Sequence, residues 1–515
     1  MTDPTDDLLA RRARIREDMG GADKVAALHA QGRGTVRDRI ERLVDPGSFI
    51  EIGTFLRSAD PAQREATPGD AKIGGHARID GRPVTVAGDD VTVKGGTDTR
   101  NSHRRTGRLL EQALEYGNPF VYFGEAGGSR IPDILGSESM SQGAGMRDFA
   151  ERWRRIPLVT AIVGRSFGES SFIAALSDLV IQVRGAVMAV SSPRAIEMAT
   201  GEAITEEELG GAQVHAERTG QIDLVAENDD DAVRLVREFL SYLPSNCHQR
   251  PPRAVEREAL APDPELRRIV PAERRRAYDV RKVLARLVDG GRWLELRPRM
   301  GRSVITALAR LDGAPIGVVA SQPMQQGGAL TPEACDKIIR LVCTCDAFGL
   351  PLVFLQDAPG FLIGRQVEHN RLLYRAMMLH QALNLARVPR FTVIMRKAYG
   401  LALFALSGCG MGSNVLYAWP TAEISFMDPE VAANVVNAPQ LRALEGDARR
   451  REIERLGQAL ARDVNPYDAA GVMGVDEVID PADTRLLLAE ALNRMLASPN
   501  WPSGPGPLSK WPTCF

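Results

Sequence analysis

Three glycine landmarks in this 515-residue chain recur at a single offset in numbering: Gly95 and Gly327, Gly128 and Gly360, and Gly168 and Gly400 each differ by 232 (327 − 95, 360 − 128, 400 − 168). The text between them recurs too, with RTGRLLEQALEYGNPFVYF set against DKIIRLVCTCDAFGLPLVFL. A repeat this long restricts the chain to two copies of one unit. Within a copy, IDGRPVTVAGDD reads as a hairpin turning at Asp80-Gly81, a helix follows from about Thr99 to Tyr116, and the apolar run Phe120–Phe123 reads as a strand. Alternation of this kind builds α/β layers. Residues 205–243 read as helical with acidic turns. Between Tyr242 and about Pro271 the text becomes rich in proline and charge, so the expected division is 1–250, a linker at 251–270, and 271–515.

Each copy breaks its central apolar run at a glycine. LVTAIVG leads to Gly168 and FTVIM leads to Gly400, and each glycine is followed by a helix start. A buried strand that turns into a helix in this way directs several N–H groups into one small volume, with the helix dipole behind them. Such a turn stabilises negative charge on oxygen, as an enolate or tetrahedral intermediate requires. Earlier turns, GEAGGSR and QDAPGF, lie upstream by the same interval in both copies (168 − 128 equals 400 − 360). The candidate pockets are therefore Gly128, Ser129, Gly168 and Glu169 in the first copy, and Gly360, Phe361, Gly400, Leu401 and Ala402 in the second.

Composition narrows the partners. A net charge of −2 gives no footing for nucleic acid, and no apolar stretch reaches membrane length or resembles a signal peptide. The six cysteines show neither a disulfide framework nor zinc spacing, and none of the seven histidines has metal-ligand spacing. The expectation is a cytoplasmic protein without a metal.

The ordered set RDRIERLVDPGSFIEI, VKGGT, AGGSRI, TGEAITEEELGGAQVH, FLSYLPSN, YDVRKVLARLVDGG, TCDAFGLPLVFLQDAPGF, IMRKAYG, YAWPTAEISFM and NPYDAA resembles the carboxyltransferase (β) subunit of biotin-dependent acyl-CoA carboxylases, the propionyl-CoA and acetyl-CoA type. The likeness runs from about Gly32 to Arg485. It implies tandem crotonase-like (ClpP/crotonase) domains, with acyl-CoA on the first copy and biotin on the second. It also implies a homo-hexamer, or a mixed oligomer with a homologous subunit. The biotin would be carried on a partner, because the chain shows no Met-Lys-Met biotinylation site or ATP-grasp-like region; a biotin carboxylase and carrier subunit is expected. In this chemistry the ureido nitrogen of biotin takes the α-proton, so two oxyanion pockets suffice without a side-chain base.

Two turns depart from the family's glycine-glycine-alanine. The first reads Ser166, Phe167, Gly168, Glu169, Ser170, and the second reads Gly400, Leu401, Ala402. Glu169 beside a developing enolate needs a proton or a partner, for which Arg165 and Arg130 are the candidates. Its alternative role is as an acid or base for a biotin-independent decarboxylase, hydrolase or lyase of a malonyl-type thioester. A third reading is a non-catalytic subunit paired with an active paralogue. Lys94 with Gly95 and Gly96, together with Arg130, are candidates for CoA phosphates, and Phe404 for lining or closing an acyl pocket. Asp357 reads as a structural turn aspartate.

Overall fold

The computed structural model describes residues 3–137, 141, 153–255 and 257–512. Contacts divide the chain into two compact units, with the break in sequence between Gln249 and Arg250. Among the described residues the first unit holds a seven-stranded sheet: β1 (Ile50–Glu51), β2 (Lys72–Ile79), β3 (Arg82–Asp89), β4 (Phe120–Gly124), β5 (Leu158–Ile162), β6 (Leu179–Val183) and β7 (Leu224–Ala226), in that order. The β1–β2 and β2–β3 pairs are antiparallel, and the remainder are parallel. The second unit repeats this with β8 (Trp293–Leu296), β9 (Val304–Leu311), β10 (Ala314–Ser321), β11 (Leu352–Ala358), β12 (Arg390–Tyr399), β13 (Val415–Ala418) and β14 (Glu477–Val478). Parallel strands buried on both faces explain the continuous apolar runs at Phe120 and Leu352.

The copies agree in register. Lys72 faces Asp89 and Phe120 faces Leu158; at the 232 offset, Val304 faces Ser321 and Leu352 faces Arg390. Helices α2 (Arg100–Tyr116) and α5 (Pro332–Phe348) follow the same hairpin, capped by Thr99 and Thr331. The hairpin turns are left-handed at both central residues: Asp80 and Gly81 have φ of 49° and 76°, and Asp312 and Gly313 have φ of 50° and 77°. A carboxylate clasps each turn. Asp45 accepts from the Asp80 and Gly81 amides, and Asp289 from those of Asp312 and Gly313.

That clasp extends the repeat upstream at a second offset, since 289 − 45 is 244. Helices α1 (Val36–Leu43) and α4 (Arg281–Leu287) obey it, with Arg37 on Glu51 at 2.9 Å and Arg281 on Glu295 at 2.7 Å. The two offsets differ because the first copy carries extra chain between β1 and β2.

Two expectations need correction. Residues 251–270 are not a free linker: Arg253 donates to Asp312, the Ala254 amide bonds to the Gly313 carbonyl, and Leu266 and Val270 join the second unit's core. Residues 205–243 are not helical throughout, because Leu224–Ala226 extends the sheet beside β6. The apolar run between Asp223 and Glu227 is too short for a helix face but long enough for an edge strand. No helix among the described residues is long and apolar enough to cross a membrane.

Candidate active site

Both strand-to-helix turns form as the glycine pattern requires. Gly168 (φ 73°, ψ −132°) precedes α3 (Glu169–Ala175), and Gly400 (φ 55°, ψ −139°) precedes α6 (Leu401–Ala405). L side chains rarely adopt this backbone conformation. The earlier turns carry Gly128 (φ 94°) and Gly360 (φ 134°). Each is tied down by the residue that follows its glycine-rich loop. The Asp98 amide bonds to the Gly128 carbonyl and the Arg130 amide to the Asp98 carbonyl; Leu330, Gly360 and Leu362 repeat the pair. The residues flanking Ser129 and Phe361 make these bonds, which leaves the Ser129 and Phe361 amides facing the other way. In the first unit the two turns meet: a Cβ on Gly168 would lie 3.5 Å from Gly128 Cα and 4.0 Å from the Ser129 nitrogen. In the second, Gly360 and Gly400 each lie just beyond the paired Ala358 and Ala398.

Glu169 does not turn to either arginine expected for it. Arg165 pairs with Glu206 at 2.7 Å, and Arg130 is buried with its guanidinium on Asp70, Asp133 and Thr97. Gly168 reverses the chain between Arg165 and Glu169, so an i, i+4 spacing that would join them on a helix separates them here. Glu169 Oε2 instead lies 3.5 Å from Lys72 Nζ and 3.6 Å from His103 Nε2. Around it sits a buried polar cluster. Lys72 Nζ donates to Asp89, to Asp98 Oδ1 at 2.6 Å and to the Tyr122 hydroxyl at 2.9 Å, and Tyr122 donates to Asp89 at 2.7 Å. Burial pushes the Asp98 carboxyl up to about 7, with Lys72 opposing and the Glu169 charge assisting. Burial also raises Glu169 and Asp89 and lowers His103. Sequence reading missed Lys72, Asp89, Asp98, His103 and Tyr122, which form no motif.

The other candidates divide. Arg130, taken as a phosphate ligand, has its guanidinium engaged inside the fold. Lys94 and Gly95 are exposed on a turn that runs through positive φ at Lys94, Gly95 and Gly96, matched by Gln326, Gly327 and Gly328. Gly96 and Gly328 are obligatory, because a Cβ would fall 2.3 Å from the Glu125 carbonyl oxygen and 2.5 Å from that of Asp357. Those two residues are counterparts (357 − 125 is 232). Glu125 accepts from Arg33 and Arg39, and Asp357 accepts from Arg396 and the Lys397 amide, as a structural turn carboxylate does. Ala402 is buried, whereas Leu401 and Phe404 present exposed apolar side chains beside the second turn.

The whole arrangement has a known family. A model described as carboxyl transferase domain matches residues 27–501. The chain belongs to the carboxyl transferase family. The methylmalonyl-CoA carboxyltransferase 12S subunit of Propionibacterium freudenreichii subsp. shermanii is 38% identical over 491 residues, covering 94% of this chain and 93% of that one. The biotin-dependent long chain acyl-coenzyme A carboxylase beta4 subunit of Mycobacterium tuberculosis (strain ATCC 25618 / H37Rv) is 37% identical, covering 96% and 94%. The structure of the transcarboxylase 12S hexamer, with methylmalonyl-coenzyme A and methylmalonic acid bound, superposes with a TM-score of 0.90 at 36% identity, covering 97% of this chain and 96% of that one. The tandem units are thus crotonase-like carboxyl transferase domains.

Proposed function

We propose that this chain is the carboxyltransferase component of an acyl-CoA carboxylase, moving a carboxyl group between biotin and the α-carbon of an acyl-CoA. The observation that carries the reading is the paired turn, Gly128-Ser129 against Gly168-Glu169, repeated at Gly360-Phe361 and Gly400-Leu401. Carboxybiotin, brought by a separate carrier subunit, would supply the carboxyl group and a ureido nitrogen able to receive the α-proton. The amides of the first turn pair, at Ser129 and Glu169, would hold the thioester oxygen, and those of the second, at Phe361 and Leu401, the ureido oxygen. Each N–H donor of such a pocket contributes about 3 kcal/mol to the transition state. Glu169 is compatible with this role because its carboxylate is drawn toward Lys72. Lys94 beside Gly95 and Gly96 is the cation assigned to the CoA phosphates, and Phe404 is assigned to the acyl or biotin cleft. We assign a hexamer, by likeness to the 12S assembly, and a cytoplasmic location, with which the free thiols at the five described cysteines agree.

The test is ATP-dependent incorporation of labelled bicarbonate into acyl-CoA by this chain with its biotinylated partner. No incorporation while the partner carboxylates its own biotin sinks the reading. A second reading, a decarboxylase of a malonyl-type thioester acting without biotin, is favoured by the placement of Glu169, Asp98 and His103 against the first turn. It expects turnover by this chain alone that Glu169→Gln abolishes.

A further inference from the structure

Lys72, Asp89, Asp98, His103, Tyr122 and Glu169 have counterparts at the 232 offset: Val304, Ser321, Leu330, Cys335, Phe354 and Leu401. No carboxylate, ammonium or imidazole stands at any of these. Strand register is the same in both units, so the scaffold forms without the charged set. Buried charge is costly, and replacing it with well-packed apolar groups is often neutral or stabilising. The first copy therefore keeps its cluster for something other than folding.

The groups still unsatisfied indicate what the cluster takes. The three N–H bonds of Lys72 go to Asp89, Asp98 Oδ1 and Tyr122, so Glu169 meets the ammonium only as a charge at 3.5 Å. Asp98 Oδ2, His103 Nε2 and Glu169 Oε2 have no hydrogen-bond partner among the described residues, although Asp98 is only 1% exposed. Buried polar atoms in this condition are rare and expensive. One ligand atom from each of Asp98, His103 and Glu169 lies within 4.8 Å of those of the other two. Lys72 is balanced by Asp89, and the Asp98 and Glu169 carboxyl groups face an imidazole. His103 and Glu169 keep 29% and 20% of their side-chain surface open, so an ion has a way in.

We propose that Asp98 Oδ2, His103 Nε2 and Glu169 Oε2 form a binding site for one divalent first-row transition ion. One imidazole and two carboxylates suit Mn²⁺, Fe²⁺ or Zn²⁺ better than Mg²⁺, which favours an all-oxygen shell. The ion stands beside Gly168, where a Cβ would lie 3.5 Å from Asp98 Oδ2, and its charge favours the ionised form of both carboxyl groups. Asp98, His103 and Glu169 have no ligand spacing along the chain, and only the fold brings them together. The inference needs the cluster alone and stands whether or not the chain uses biotin.

The experiment is a Mn²⁺ titration of chelator-stripped full-length protein, with free Mn²⁺ read by electron paramagnetic resonance. The expected result is one equivalent per chain, displaced by Zn²⁺, with a rise in melting temperature. Asp98→Asn, His103→Gln and Glu169→Gln are each expected to weaken binding by at least ~10-fold. Absence of stoichiometric binding by the unmodified protein, which depends on no variant folding, overturns the proposal. So does binding that survives His103→Gln and Glu169→Gln together in protein that melts cooperatively.

Discussion

The two copies share a scaffold and differ at its centre. Arg105 donates to the Lys72 carbonyl at 2.5 Å, and Lys337, its counterpart at the 232 offset, donates to the Val304 carbonyl at 2.9 Å. Asp45 and Asp289 clasp equivalent hairpins. These polar groups recur because both copies must satisfy the same buried backbone atoms. The charges around Lys72 do not recur, and the same positions in the second copy are filled by Val304, Leu330, Phe354 and Leu401. For buried polar groups the duplicated fold thus serves as its own control: those that satisfy the shared backbone recur, and the charged set around Lys72 does not.

The sharpest way to break that comparison is to remove the ammonium at its centre. Lys72→Met strands Asp89 and Asp98 as buried carboxylates without a cation, and losing one partner of a buried pair costs about 3–5 kcal/mol. Thermal and denaturant unfolding of the purified protein measure it. Installing the second copy's residues together, Val, Ser, Leu, Cys, Phe and Leu at positions 72, 89, 98, 103, 122 and 169, removes the charges as a set. That graft is expected to be more stable than Lys72→Met alone. Should it be the less stable of the two, the cluster is structural after all.

Much of this was legible before the fold was seen. The glycines at 95, 128 and 168 carry the repeat because each stands at positive φ, which L side chains rarely adopt. The earlier segment of the repeat was hidden by the shift from 232 to 244, caused by extra chain between β1 and β2. The polar cluster was hidden for a different reason. Its six residues come from β2, β3, a loop, α2, β4 and α3, and Glu169 alone among them lies in a turn that the glycine pattern marks. Reading both copies position by position exposes them, since ionisable groups then stand opposite Val304, Leu330 and Leu401. The Arg165–Glu169 pairing does not form because the chain turns at Gly168 between them and Arg165 pairs with Glu206.

The two glycine turns offer a graded test. In Gly168→Ala the new Cβ meets nothing nearer than 3.5 Å, leaving only backbone strain of about 1–3 kcal/mol. In Gly400→Ala the Cβ also falls 2.9 Å from the Phe426 carbonyl oxygen, so the second turn must shift. Gly400→Ala is expected to melt lower than Gly168→Ala, by an additional ~1 kcal/mol. Equal melting temperatures would mean that the turns are interchangeable.

The recurrent cation distinguishes the copies by pH. Burial lowers Lys337 to about 7, while Arg105, held by Glu51, falls only to about 10. Unfolded, Lys337 stays protonated up to its ordinary value of 10.5, so between about 7 and 10.5 the unfolded chain binds the extra proton. Stability gains from this site as pH rises through that window, by up to ~1.4 kcal/mol per unit, and the gain is absent below it. Lys337→Met removes this contribution. The difference between variant and unmodified protein, measured by unfolding at pH 6, 8 and 9, isolates it from other titrating groups, and a difference independent of pH would refute it.

The smallest expected effect lies at the surface. Lys94 occupies the left-handed turn that the second copy fills with the neutral Gln326. If the first copy receives the nucleotide end of acyl-CoA and the second does not, that charge difference is where discrimination begins. An exposed cation facing a phosphate contributes about 0.2–1 kcal/mol, screened by salt. Lys94→Gln, which makes the first turn match the second, is therefore expected to raise KM for acyl-CoA by up to ~5-fold at low salt. The change should shrink as salt is added, while kcat and melting temperature hold. A fall in kcat at unchanged KM would put Lys94 in contact with the reacting end of the substrate, and the assignment of the two copies to opposite ends of the reaction would have to be redrawn from that contact.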